Sequence, residues 1–163
     1  MNEKEIMKIL DNHEKRIKSL EDNIGNDNQA KIVKQEILNY EKLSSELNLE
    51  ISTLESIYSI YNQKLTLLKI TGKDEKEKTQ NTTLLVIIGY DYLLNIAEVL
   101  SQDIRRNVAE HGLSLSRFAT HINEISPKQI KRIGKPKSPK TRYKLTIPGR
   151  EKAKELLLLI AGD

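Results

Sequence analysis

Basic side chains are concentrated in one segment of this 163-residue chain, SPKQIKRIGKPKSPKTRYKLTIPGR at residues 126–150. The segment holds nine Lys or Arg residues and no Asp or Glu. Clustered cations without acidic neighbours attract a polyanion, above all a phosphate backbone. The clustering therefore favours electrostatic binding of a polyanion. The cations that we assign to this binding are Lys131, Arg132, Lys135, Lys137, Lys140 and Arg142.

The same segment predicts two short strands joined by a turn. Ile130–Ile133 and Arg142–Ile147 combine apolar with basic residues, and glycine, proline and serine fill the interval between them. We call residues 134–142 the basic loop. A tip of lysines and prolines has little reason to pack on a core. Its Ser138-Pro139-Lys140 unit is similar to tails that enter narrow A·T minor grooves, so phosphate contact and groove insertion are both open for it.

The net charge of +4 hides an asymmetry along the chain. Residues 1–70 carry ten Lys or Arg against twelve Asp or Glu, residues 71–96 carry three against four, and residues 97–163 carry fourteen against seven. The three segments have net charges of −2, −1 and +7, which sum to +4. A surface for a polyanion is therefore expected in the last segment.

Composition and spacing argue against several classes of protein. The chain has no Cys, which excludes disulfides and thiolate metal sites and fits a cytoplasmic protein. The location that we expect is the cytoplasm, in association with the nucleoid. No apolar run approaches the roughly 20 residues of a membrane span. The three histidines lie in separate elements and no Gly-rich phosphate loop follows a strand. We therefore predict no enzyme activity, no cofactor, no metal and no evident small-molecule ligand.

Apolar residues recur at spacings of four and three through the first half of the chain. One such seam runs from Ile6 to Ile24, residues 25–28 interrupt it, and a second runs from Val33 to Leu68. Heptad spacing predicts that residues 1–70 form a long coiled coil or helical hairpin that dimerises, with a polar hinge at 71–81. The alternative is that this half packs on the rest of its own chain. The residues assigned to dimerisation are Ile37, Tyr40, Leu47, Ile51, Leu54, Tyr58, Tyr61 and Leu65.

Residues 82–163 predict the order helix, helix, turn, helix, strand, loop, strand, helix. Within them, Arg142-Tyr143-Lys144-Leu145-Thr146 followed by Gly149 and Ala153 resembles the Y-x-L-T-x-x-G-x-x-x-A closing strand and helix of archaeal and bacterial winged helix-turn-helix regulators. The predicted fold class is therefore mainly α, with an N-terminal coiled coil and a C-terminal winged helix-turn-helix domain of α+β type.

The resemblance implies a homodimer, or a higher oligomer, that binds double-stranded DNA as a transcriptional regulator or a mobile-element or chromatin-type factor. Residues 116–125 would be the recognition helix in the major groove, and the basic loop would be the wing. Phosphate contacts are implied for Arg105 and Arg106 on the preceding helix. Contacts to bases or phosphates are implied for Ser116, Arg117, Thr120 and His121.

Two other functions fit the sequence. A protein–protein adaptor is possible because residues 156–160 are apolar around most of a helix. RNA binding has less support, because Tyr143 is the only aromatic residue of the basic segment and base stacking needs aromatic rings.

Overall fold

The computed structural model describes residues 40–136 and 138–162, which belong to one compact unit, Asn39–Asp163. The first heptad seam, Ile37 and Lys137 lie outside the described residues. Over the described residues the chain is α+β, with six helices and two small antiparallel sheets. No helix in this part has the length and apolar character needed to cross a membrane.

The elements follow one another as six helices and five strands over the described residues. The helices are α1 (residues 40–47), α2 (Ile51–Ile57), α3 (Glu75–Leu93), α4 (Ser101–Glu110), α5 (Phe118–Ile125) and α6 (Ile147–Gly162). The strands are β1 (Tyr58–Tyr61), β2 (Lys64–Leu67), β3 (Val99–Leu100), β4 (Ile130–Ile133) and β5 (Arg142–Leu145). Strands β1 and β2 form a hairpin, and the second sheet has the order β3-β5-β4.

Helix α3 is the centre of the core. Thirteen of its 19 residues are buried, and it contacts α4, α5, α6, β2 and β5. Its middle section, Leu84–Ile88, is apolar on every side, and neighbouring elements bury all five residues, as expected for a fully buried helix.

The predicted continuous helix from Val33 to Leu68 is wrong beyond residue 47, where α1 ends. The β1–β2 hairpin turns through Asn62 and Gln63, whose φ angles of 49° and 58° match the two positive φ values of a type I′ turn. Tyr58 and Leu65 satisfy heptad spacing, and each also fits the alternation of a strand. The seam therefore did not distinguish helix from hairpin over this short stretch.

The predicted dimer contact is wrong for five of the seven assigned residues that the structure describes, because these five are buried in their own chain. Five of the eight assigned side chains are buried in the core of their own chain: Tyr40, Leu47, Leu54, Tyr58 and Leu65. Ile51 packs against that core, and Tyr61 is 76% exposed. Residues 40–70 thus lie in the same unit as residues 82–162, and these buried side chains have no surface to offer a second copy.

The predicted hinge at 71–81 mostly belongs to α3. Asp74 is the N-cap, and its carboxylate accepts a hydrogen bond from the Glu77 backbone N–H at 2.8 Å. Glu75 and Glu77 place negative charge at the positive end of the helix dipole. The helix therefore begins about two turns before residue 82, where the predicted C-terminal domain starts, and its cap is an aspartate within a charged run.

Side chains of α4 bind the outer edge of β2. The Leu67 N–H donates to Asn107 Oδ1 at 2.7 Å, and Asn107 Nδ2 donates to the Leu65 carbonyl at 3.2 Å. Arg106 donates to the same carbonyl at 2.9 Å, and His111 Nε2 donates to the Leu67 carbonyl at 2.9 Å. The half-buried Arg106 also lies within 4.0 Å of Asp103 and Glu110, so its guanidinium group already has partners in its own chain, which argues against the predicted phosphate contact.

Replacing Asn107 with Ala is expected to lower the free energy of unfolding by about 2 to 3 kcal/mol. The fully buried amide would leave the Leu67 N–H without its partner, and a buried unpaired backbone group costs about 1 to 3 kcal/mol. Urea unfolding followed by circular dichroism measures the change. Gln102→Ala, at an exposed position of the same helix, is the matched control. Equal stability of the two variants would contradict this role for Asn107.

Candidate nucleic-acid interface

Helix α5 separates a buried from an exposed face. Phe118, His121, Ile122 and Ile125 are buried, whereas Ala119, Thr120, Asn123 and Glu124 are exposed. Arg117 occupies the N-cap position, so the helix begins within two residues of the predicted start at 116. Of the four residues predicted to reach bases or phosphates, Ser116, Arg117 and Thr120 are exposed.

The outward position predicted for His121 is wrong. Its side chain is 7% exposed, and its Nδ1 atom has no hydrogen-bond partner among the described residues. The reason is helical spacing, because His121 lies three residues after Phe118 and four before Ile125, on the buried face. The prediction missed Asn123, an exposed amide on the same helix as Thr120.

The first turns of α3 hold α5 in place. Lys76 Nζ lies 2.7 Å from Glu124 Oε2, and Gln80 Nε2 donates to the His121 carbonyl at 2.9 Å. The hydrogen bond from Lys76 lowers the pKa of Glu124 and raises the pKa of Lys76. Glu124 is therefore ionised and already partnered at neutral pH.

The turn between α4 and α5 is also tied to α3. Gly112, with a φ of 70°, reverses the chain after α4, as a glycine does at the end of a helix. The Ser114 N–H then donates to Glu75 Oε1 at 2.9 Å. The segment predicted to be a hinge thus contacts both the turn before α5 and α5 itself.

Arg105 lies beside the start of α5. Its guanidinium carbon is 5.0 Å from the centroid of the Phe118 ring, a cation–π distance, and the side chain is half-buried. Burial raises the pKa of the Tyr143 phenol, and the charges of Arg132 and Arg105 oppose that rise. Arg105 and Arg132 therefore both lie near the ring of Tyr143.

Strands β4 and β5 place one pair of like charges opposite each other, Lys131 and Lys144. Their register pairs Lys131 with Lys144, and Ile133 with Arg142. Directly opposed like charges destabilise a sheet. The Lys131–Lys144 pair therefore concentrates positive charge at one point of the sheet.

The basic loop is closed by its own backbone. Thr141 Oγ1 donates to the Lys135 carbonyl at 2.6 Å, and the Thr141 N–H donates to the Ser138 carbonyl at 3.0 Å. Gly134 has a φ of 92° at the start of the loop. These bonds use the Thr141 hydroxyl and main-chain groups of the loop, and the side chains of Lys135 and Lys140 stay exposed.

Two arginines of the basic segment have internal partners. Arg150 forms an ion pair with Asp91 at 2.7 Å and lies 5.6 Å from the centroid of the Tyr92 ring, so it belongs to the packing of α6 on α3. Arg142 lies 3.9 Å from Glu98 with both side chains largely exposed, a contact that solvent screens.

Six other cations of the segment have no carboxylate within 4.0 Å among the described residues. We call them the basic surface: Lys128, Lys131, Arg132, Lys135, Lys140 and Lys144. All are exposed except Lys144, which is half-buried. Cations left without internal counterions are suited to bind phosphates from another molecule.

The closing motif joins α6 to the segment before β4. The Thr146 hydroxyl donates to the Lys128 carbonyl at 2.6 Å, and the Thr146 N–H donates to the Gln129 carbonyl at 3.0 Å. The Gly149 N–H donates to the Thr146 hydroxyl at 3.2 Å. A side-chain carbon at Gly149 would overlap the Gln129 carbonyl group. Thr146 and Gly149 therefore fix α6 against residues 128–129, which lead into the strand that carries Lys131 and Arg132.

No family model matches this chain, and no significant match to a curated protein or to a solved structure is found. The functional conclusion therefore depends on the positions and charges of the residues described above.

Proposed function

We propose that residues 75–162 form a winged helix-turn-helix domain that binds double-stranded DNA. The order α3-β3-α4-α5-β4-β5-α6 agrees with the order that the resemblance of the closing motif implies. In this proposal α5 is the recognition helix, and the basic loop between β4 and β5 is the wing.

The observation that carries the proposal is the basic surface. Its six cations lack a carboxylate neighbour in the described part of the chain, and Lys131 faces Lys144 across two strands. Phosphate groups would relieve that repulsion and release counterions from DNA. Small polar side chains on the exposed face of α5 would then be free to meet base edges.

The proposed contacts divide into two kinds. Lys131, Arg132, Lys135 and Lys140 bind phosphates and set the register of the domain on the duplex. Arg117 and Thr120, at the start of α5, reach base edges in the major groove. Arg142, the last residue of the wing, joins the phosphate contacts when DNA displaces Glu98 from its screened contact.

Fluorescence anisotropy with a labelled duplex at several salt concentrations tests the proposal. The five phosphate contacts proposed for each chain predict that the logarithm of the binding constant falls with a slope of about −4.5 per bound chain against the logarithm of salt, at roughly 0.9 per contact. A duplex RNA competitor separates DNA from RNA binding. Absence of binding at low salt, or binding that salt leaves unchanged, would exclude this function.

The proposal includes a homodimer through the first heptad seam. Because Leu54 and its buried neighbours pack within their own chain, the seam from Ile6 to Ile24 is the sequence feature left to support it. Two linked domains would bind one duplex more tightly than one. The stoichiometry of the anisotropy titration distinguishes one chain from two per duplex.

Arg117→Ala is expected to lower the affinity for a selected site by about tenfold and the affinity for random duplex by much less. A side chain that bonds guanine contributes about 1 to 3 kcal/mol of discrimination, which a random sequence does not engage. Competition anisotropy with both duplexes measures the two losses. Lys140→Ala is the comparison, because a phosphate contact weakens both duplexes alike. If Arg117→Ala lowered the affinity for the selected site and for random duplex equally, Arg117 would be assigned to a phosphate contact instead of a base contact.

A second candidate is the protein–protein adaptor. Leu158 and Leu159 are adjacent on α6 and 48% and 53% exposed, and Ile147 at the start of that helix is 81% exposed. Exposed apolar side chains favour a protein contact. Two results together would support the adaptor: the unaltered chain does not bind duplex DNA at low salt, and the Leu158→Glu variant no longer binds a protein partner that the unaltered chain binds.

A further inference from the structure

We infer that the exposed face of α5 selects A·T base pairs, with Asn123 bonding adenine and Ala119 and Thr120 contacting thymine. The inference rests on the proposed function and adds the class of DNA sequence that the domain prefers. It concerns the major groove, where each base pair presents its own pattern of donors, acceptors and methyl groups.

The exposed face of α5 consists of four residues and carries no cation. Ala119, Thr120, Asn123 and Glu124 are its exposed residues, and none of the eight residues of the helix is Lys or Arg. Ala119 lies four residues before Asn123 and Thr120 three, so the three side chains share one face.

Asn123 offers an amide that the fold does not use. It is exposed, and its side chain makes no hydrogen bond to any other described residue. An asparagine can donate to adenine N7 and accept from adenine N6 at the same time. The methyl groups of Ala119 and Thr120 match the C5-methyl group of thymine, which an A·T pair presents beside the adenine.

The same face is poorly suited to G·C pairs. Reading guanine O6 and N7 normally uses Arg or Lys, and α5 itself has neither. Reading cytosine N4 uses a carboxylate, but Glu124 is held by Lys76 at 2.7 Å and by Gln80 at 3.4 Å. Arg117, at the N-cap, would meet one end of the site and leave its centre to Asn123.

Selection of duplexes from a random pool by the full chain tests the inference. We expect enriched sites whose central positions are A·T, and anisotropy on such a site should weaken about tenfold when a contacted A·T pair becomes G·C. Asn123→Ala should bind the selected site about tenfold more weakly while its affinity for random duplex stays unchanged. The unchanged random affinity also shows that this exposed substitution leaves the domain folded.

Replacement of single adenines by 7-deazaadenine identifies the bond itself. This base lacks the N7 acceptor but still pairs with thymine. The modified duplex should weaken binding of the unaltered chain by about tenfold at one position and have no further effect on Asn123→Ala. Losses that multiply between the two changes would overturn the adenine contact.

The outcomes separate this inference from the proposed function. Enrichment of G·C at the central positions, or no sequence preference, overturns the A·T reading and leaves DNA binding intact. Failure to bind any duplex at low salt overturns both.

Discussion

Replacing Lys131, Arg132, Lys135 and Lys140 together with Gln is expected to lower the affinity for duplex DNA about 10³-fold at 0.1 M salt. Each phosphate contact changes the logarithm of the binding constant by about 0.9 for every tenfold change in salt. Four contacts therefore account for roughly 3.6 decades between 1 M and 0.1 M salt. In anisotropy titrations, the slope of the logarithm of the binding constant against the logarithm of salt should be shallower by about 3.6 for this variant.

A matched control separates position from net charge. Lys64, Lys69, Lys73 and Lys152 are exposed and lie outside residues 126–150. Replacing these four with Gln removes the same four charges, which takes the net charge from +4 to 0 in either variant. The control is expected to keep most of the affinity and the slope. Equal losses in the two variants would mean that binding follows net charge and that the basic surface is not the contact.

Gly149→Ala is expected to lower the free energy of unfolding by about 3 kcal/mol or more. The added methyl group would meet the main-chain carbonyl of Gln129, which cannot rotate away as a side chain would. Overpacking costs about 1 to 3 kcal/mol where side chains can adjust, so a backbone clash lies at or above the upper end. Urea unfolding of the full chain, analysed by linear extrapolation, measures the loss.

Gly162→Ala is the control for this second substitution. It lies in the same helix, and nothing lies within 4 Å of the position that its methyl group would take. Its stability is expected to stay within about 0.5 kcal/mol of the unaltered chain. If Gly149→Ala were equally stable, the close approach of α6 to the segment before β4 would be wrong.

Local patterns predicted much of the second half of the chain. A short run of apolar and basic residues before a Gly/Pro-rich interval predicted β4 at Ile130–Ile133, and the structure confirms that range. The strand expected at Arg142–Ile147 is confirmed as Arg142–Leu145, and α6 begins at Ile147, with Pro148 in its first turn. Each of these signals acts over a few neighbouring residues, so no distant contact was needed to read it.

The β1–β2 hairpin could not be predicted in the same way. Tyr58 and Leu65 recur at the spacing of a helical seam, and the turn residues Asn62 and Gln63 are not the glycine that a tight turn usually carries. What stabilises the hairpin is distant in the chain, since Asn107 and His111 of α4 bind its edge. The sequence order alone does not reveal that pairing.

The sequence by itself determined where positive charge accumulates, because the absence of acidic residues from 126–150 holds for any fold. It also determined the strands that flank the basic loop, through short apolar-basic runs on either side of a Gly/Pro-rich interval. Only the tertiary structure decided which predicted contacts remain accessible: Arg106 is held by the hairpin, Arg150 by Asp91, and His121 is buried. The physical reason is that charge belongs to the residue, whereas exposure and pairing depend on partners brought together from distant parts of the chain.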